Sequence, residues 1–127
     1  MADDVKPIRC YVSPAENNKI SDWYQRLSIQ ERADADEFIK NMRKTRDWSM
    51  PHYRPKLAGH QQVGELRWTS EKKKHRLVGY LKGGVYVALI GCTHKQQVYD
   101  PVDALDTADK RNKEIERGEA KTVPYDL

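Results

Sequence analysis

The chain has 127 residues, with 23 Lys and Arg against 19 Asp and Glu, for a formal net charge of +4. That length suits one domain, and the longest wholly apolar run, Val85 to Ile90, is far too short to span a membrane. The Met-Ala-Asp-Asp start has no basic segment followed by an apolar one, and Cys10 and Cys92 are too few for a disulfide framework. A protein of the reducing cytoplasm, with free thiols and no leader, is therefore expected.

Ile8 to Val12 is rich in β-formers and stops at Ser13-Pro14, which predicts a first strand. Ile20, Trp23, Tyr24 and Leu27 recur at i, i+3, i+4, i+7 and predict a helix over residues 19–27. Ser28 and Glu31 have capping-box spacing and start a second helix, reaching Thr45, with the apolar stripe Ala35, Phe38, Ile39, Met42. These side chains read as the core of a helical hairpin. Pro51 and Pro55 make the stretch from Trp48 to Gly59 irregular. Strands are expected at Gln62 to Thr69 and at His75 to Leu81, joined by the charged turn Ser70-Glu71-Lys72-Lys73-Lys74. Lys82-Gly83-Gly84 signals a hairpin, and Val85 to Cys92, the most apolar segment, is expected at the centre of the sheet. Asp100-Pro101 opens a last helix to Arg117, with Pro101 in its first turn and Val102, Leu105, Ala108 and Ile115 near one face. Gly118 ends it. Residues 118–127 read as a polar tail after a single domain over 1–117. The order β-α-α-β-β-β-α gives an α+β fold: a helical hairpin on one face of a small antiparallel sheet, the other face partly open.

Charge is distributed unevenly along this order. Residues 1–47 carry nine basic and nine acidic side chains, net zero. Residues 48–99 carry nine basic residues against only Glu65 and Glu71, net +7, and all four histidines. Residues 100–127 are net −3. The strand block is thus the candidate polyanion-facing surface, the plain alternative being a solvated basic face.

The strand residues resemble a known family. Glu65-Leu66-Arg67, Arg76-x-x-x-Tyr80, Val87-Ala88-Leu89-Ile90 running into Lys95, and Pro101 with Ala108-x-x-Arg111 are similar to the RelE/HigB-type toxins of bacterial type II toxin–antitoxin systems. Within that RelE/ParE superfamily the likeness is to the phage-derived toxin-like branch. Lys56-Leu57 ahead of Gly59 fits the same pattern, and the match covers about residues 6–115. The resemblance implies a RelE-like fold, a twisted antiparallel sheet with the helical hairpin on one side and the C-terminal helix at an edge. It also implies an mRNA interferase that cleaves mRNA without a metal, commonly on the ribosome, and a cognate antitoxin (a small helix-turn-helix protein is one form) that neutralises it. The chain departs from the pattern at Thr93, where the family commonly has an aromatic, and at Gln96, where it has a second lysine.

Metal-free RNA cleavage needs a base for the 2′-OH, cations for the phosphorane and an acid for the leaving 5′-oxygen. Arg67 and Arg76, on neighbouring strands, are candidates to cradle one phosphate, unless each pairs with Glu65, Glu71 or an acidic group of the last helix. The resemblance adds Lys56 as phosphate stabiliser or proton acceptor, and Lys95 as phosphate ligand. His94 and Tyr99 are the candidates for proton transfer: histidine titrates near neutrality, and a tyrosine among cations is expected to ionise more easily. Arg54, Lys72, Lys73, Lys74 and His75 are candidate RNA contacts, with affinity but no sequence specificity. Cys92-x-His94 lacks a second arm of zinc-ligand spacing, so no metal or cofactor is expected. The competing reading is a toxin-fold protein that acts by binding alone, as a ParE-like gyrase inhibitor or a degenerate phage-derived RNA- or partner-binding domain.

Overall fold

A computed structural model describes residues 4–57, 59–60 and 62–127 of the chain. Met1 to Asp3, on which part of the leader reading rests, and Ala58 and Gln61 lie outside the described residues. The elements run β1 (Ile8–Val12), α1 (Lys19–Gln25), α2 (Ile29–Arg43), β2 (Tyr53–Arg54), β3 (Gly64–Ser70), β4 (Lys73–Lys82), β5 (Val85–Lys95), β6 (Val98–Asp100), α3 (Ala104–Glu116) and β7 (Lys121–Pro124). The described residues form an α+β fold with three helices and a sheet of seven strands ordered β2-β3-β4-β5-β1-β7, with β6 beside β5. The sheet is mixed, because β1 runs parallel to β5. That corrects the expected all-antiparallel arrangement. Three further strands, β2, β6 and β7, lie in segments that read as irregular, helix start and tail.

Residues β3 to β6 form a meander closed by two-residue turns at Glu71-Lys72, Gly83-Gly84 and Gln96-Gln97, all with positive φ. Such turns match the twist of the flanking strands. At Glu71, Lys72, Gln96 and Gln97 the chain adopts the left-handed region without glycine, which is locally unfavourable and held by the ladders on either side. Strand β4 occupies one edge of β5 along its length, so β1 and β6 share the other edge, β1 at Tyr86–Ala88 and β6 at Thr93–Lys95.

One sheet face packs on the helical hairpin. Ile20, Trp23, Tyr24, Ala35, Ile39 and Met42 meet Ile8, Cys10, Leu66, Leu77, Tyr86 and Ala88, as the helical periodicity predicts. The capping box of α2 is formed in both directions between Ser28 and Glu31. Gly91 is required by close approach, since a Cβ there would overlap the Trp23 indole. On the opposite face α3 lays Ala104 and Ala108 over Val78, Val87, Leu89 and Ile90. The last helix therefore covers part of the sheet face, rather than an edge of the sheet. It starts at Ala104, not at Pro101, because Asp100 is still paired with Thr93 in the β5–β6 ladder.

Residues 118–127 are not a loose tail. β7 pairs antiparallel with β1, Arg9 Nε donates to Thr122 Oγ1 at 2.8 Å, and Tyr125 is buried against the hairpin core. The segment reads as a tail because Lys121 and Pro124 are exposed and Thr122 and Val123 only partly buried, as suits a strand at the sheet edge.

Candidate functional site

Directly opposed residues of an antiparallel ladder share a face. The register pairs Arg54 with Glu65, Arg67 with Arg76, Arg76 with Cys92, Lys74 with His94, and His94 with Tyr99. Five strands, β2 to β6, therefore bring Arg54, Glu65, Arg67, Lys74, Arg76, His94 and Tyr99 to the face that α3 only partly covers. A bulge decides the last two. Val78 pairs with Ile90 but Gly79 pairs with Ala88, so Leu89 is the extra residue and the alternation of β5 resets there. Without it His94 would face the helical hairpin.

At the centre of this face is a carboxylate. Glu65, 2% exposed, lies 3.3 Å from Arg67 Nε and 3.5 Å from Arg76 Nε through Oε2. Its Oε1 accepts a 2.5 Å hydrogen bond from the Tyr99 hydroxyl. The arginine contacts are ion pairs whose Nε–H vectors are not aligned for hydrogen bonding. Arg76 is anchored besides by donation from Nη1 to the His75 carbonyl at 2.9 Å. The Tyr99 ring meets the His94 ring edge-on at 4.7 Å between centroids. An open cavity of about 360 Å³ lies beside the arginine pair, lined by Pro51, His52, Arg67, Trp68, Thr69, Lys74 and Arg76.

Electrostatics sorts the proton-transfer candidates. Burial, then the positive charge of Arg76, lowers the pKa of His94, with Lys74 and Arg67 acting the same way and Glu65 opposing them. His94 is thus held neutral at neutral pH and able to accept a proton. Tyr99 goes the other way: burial and its hydrogen bond to the Glu65 carboxylate raise its pKa above the usual phenol value. The expectation that surrounding cations would ease its ionisation is corrected, because the nearest charge is the carboxylate it donates to. Cys92 is buried and its thiol is pushed up to about 12, so it is no nucleophile.

The remaining sequence candidates divide. Lys74 lines the cavity, and Arg54 is exposed on the same face. Lys72 sits at the tip of the β3–β4 turn. Lys73 faces the helical side, 3.6 Å from Glu31. His75 is corrected as an RNA contact: it is 1% exposed, stacked on Trp68, with Nε2 3.2 Å from the Glu31 carboxylate. Burial lowers its pKa. Lys95 follows His94 in a regular ladder and so points to the opposite face, and neither it nor Lys56 lines the cavity. Glu65 was visible in the sequence only as a motif letter and a possible arginine partner. The signal for more was a single acidic residue on a strand position flanked by arginines in a block with only one other carboxylate.

Among the described residues, His60, Asp106 and Asp109 are the group whose donor atoms lie within 4.8 Å of one another. Both ring nitrogens already face carboxylates, Nδ1 that of Asp109 and Nε2 that of Asp106, and Lys110, Lys113 and Arg117 stand around the aspartates. This cluster ties the loop before β3 to α3 and takes no part in the arginine site. No helix among the described residues is long and apolar enough to cross a membrane. Comparison with protein-family models, curated proteins and solved structures found no match to the chain.

Proposed function

We propose that the protein is a RelE/HigB-type toxin, an endoribonuclease that acts in the cytoplasm on mRNA at the ribosome and is held in check by a cognate antitoxin. The observation that carries this reading is the directly paired Arg67 and Arg76 beside an open cavity, with Lys74 lining it and a neutral histidine register-paired to that lysine. In this reading the 2′-oxygen attacks the adjacent phosphorus while His94 takes its proton. Arg67, Arg76 and Lys74 hold the non-bridging oxygens as negative charge grows on them. Lys74, directly across the ladder from His94, is the proton donor for the departing 5′-oxygen. Tyr99 acts as a protonated positioning group, not as the base.

The second reading, binding without cleavage, is favoured by a specific observation: two of the four cations carried over from the family, Lys56 and Lys95, do not line the arginine cavity. Expression in cells followed by cleavage mapping separates the two, with purified RNA tested with and without ribosomes. The nuclease reading expects growth arrest and discrete cuts that Arg67→Ala and Arg76→Ala abolish. Wild-type protein that gives neither arrest nor cuts in any of these settings overturns it. Arrest without cuts supports the binding reading.

A further inference from the structure

We propose that Glu65 is the positioning residue of this site, its one buried carboxylate holding the two guanidiniums together on one side and, through Tyr99, fixing the His94 ring on the other. The inference rests on the nuclease reading for its consequence but on geometry for its substance. Arg67 and Arg76 stand directly opposite one another on adjacent strands, where like charges repel. Arg76 is also buried, which adds a desolvation cost. Glu65 lies within 3.5 Å of both and offsets both costs. Its second oxygen takes the Tyr99 hydroxyl, and Tyr99 is the strand partner and ring neighbour of His94. One side chain thus links β3, β4 and β6 and sets the spacing between the phosphate-holding groups and the proton acceptor. The charged and titratable groups acting on His94 are Arg76, Glu65, Lys74 and Arg67, with the Tyr99 ring packed against it, so the Glu65 charge is felt directly at the histidine.

Glu65→Gln keeps the shape and an acceptor for Tyr99 but removes the charge. The test combines three readings on the full chain: cleavage kinetics, NMR titration of His94, and binding of an all-2′-deoxy oligonucleotide that cannot be cleaved by 2′-OH attack. With the carboxylate gone, kcat is expected to fall roughly ten- to a hundredfold. KM stays level or falls because the face becomes more positive, and the His94 midpoint moves to lower pH. The deoxy oligonucleotide binds at least as tightly as to wild type. A kcat within twofold of wild type, or an unmoved His94 midpoint, overturns the proposal. Tyr99→Phe serves if Glu65→Gln does not fold. It removes only the hydroxyl link, and is expected to lower kcat roughly three- to tenfold with the melting temperature little changed; wild-type kcat overturns the His94 arm. If the wild type cleaves no RNA at all, the nuclease reading fails by itself. The His94 titration and oligonucleotide binding then still decide whether Glu65 organises the cluster.

Discussion

Replacing Arg76 by alanine removes a side chain that is 5% exposed and 3.5 Å from a carboxylate that is itself 3% exposed. Removing one partner of a buried ion pair costs about 3–5 kcal/mol, because the other charge is left uncompensated. Glu65 keeps Arg67 at 3.3 Å and the Tyr99 hydroxyl, so the loss belongs at the low end, about 3 kcal/mol. For a chain of this size that lowers the melting temperature by about 10 °C. Arg67→Ala removes a side chain that is 22% exposed and leaves the better-buried arginine in place, so its cost is about 1 kcal/mol. The double variant Glu65→Gln/Arg76→Met removes both buried charges while the glutamine oxygen still accepts from Tyr99, and should recover part of the Arg76→Ala loss. Urea unfolding followed by tryptophan fluorescence measures all four proteins. At a temperature where each is folded, both single arginine variants should lose roughly 10²–10³ of RNA cleavage. Equal stabilities for Arg67→Ala and Arg76→Ala, or a double variant no better than Arg76→Ala, would refute the claim that burial of the Glu65–Arg76 pair sets the cost. Cleavage at wild-type rate by both single variants would remove the arginine pair from the mechanism.

Three further outcomes are expected. Because its surroundings lower the His94 pKa, the proton-accepting form persists at neutral pH, and kcat/KM should fall on acidification with a midpoint below the ordinary 6.5. Lys74→Gln removes one of the responsible charges and should move the His94 midpoint upward in an NMR titration. Buried His75 also has a lowered pKa, so the unfolded chain binds its proton first, and stability should decline as pH drops from 7.5 to 5.5. His75→Phe should flatten that decline in urea melts at the two pH values. Tyr125, 5% exposed, has a buried hydroxyl with no hydrogen-bond partner among the described residues. Tyr125→Phe should therefore be neutral or stabilising, by up to about 1 kcal/mol, while Tyr125→Ala should cost about 3 kcal/mol, both read by thermal melting.

Much of the architecture was legible locally. The i, i+3, i+4 stripe from Ile20 to Leu27 and the Ser28–Glu31 box are properties of neighbouring residues, and both helices formed where those signals lay. The β7 strand was illegible because its cause is remote: Lys121 to Pro124 carry no strong strand pattern and pair only because β1 leaves an edge free beside them. The start of α3 slipped from Pro101 to Ala104 for the same reason, since Asp100 is claimed by a cross-strand partner in β5.

The site divides along the same line. Composition and order alone determined that the strand block is the positive part of the chain, and that Arg67 and Arg76 occupy strands joined by a short turn. The expected five-residue turn from Ser70 to Lys74 would set Arg67 opposite Leu77, so the direct arginine pair follows only from the two-residue turn of the fold, Glu71-Lys72. Which of His94 and Lys95 joins them also follows only from the fold, because a single extra residue at Leu89 inverts the alternation of everything after it. The tertiary structure also decided what the arginines face. A lone glutamate in a basic strand reads as incidental until three strands bury it between two guanidiniums and a phenol. There the low polarity of the surroundings makes its charge felt at each of them, and at the histidine beyond.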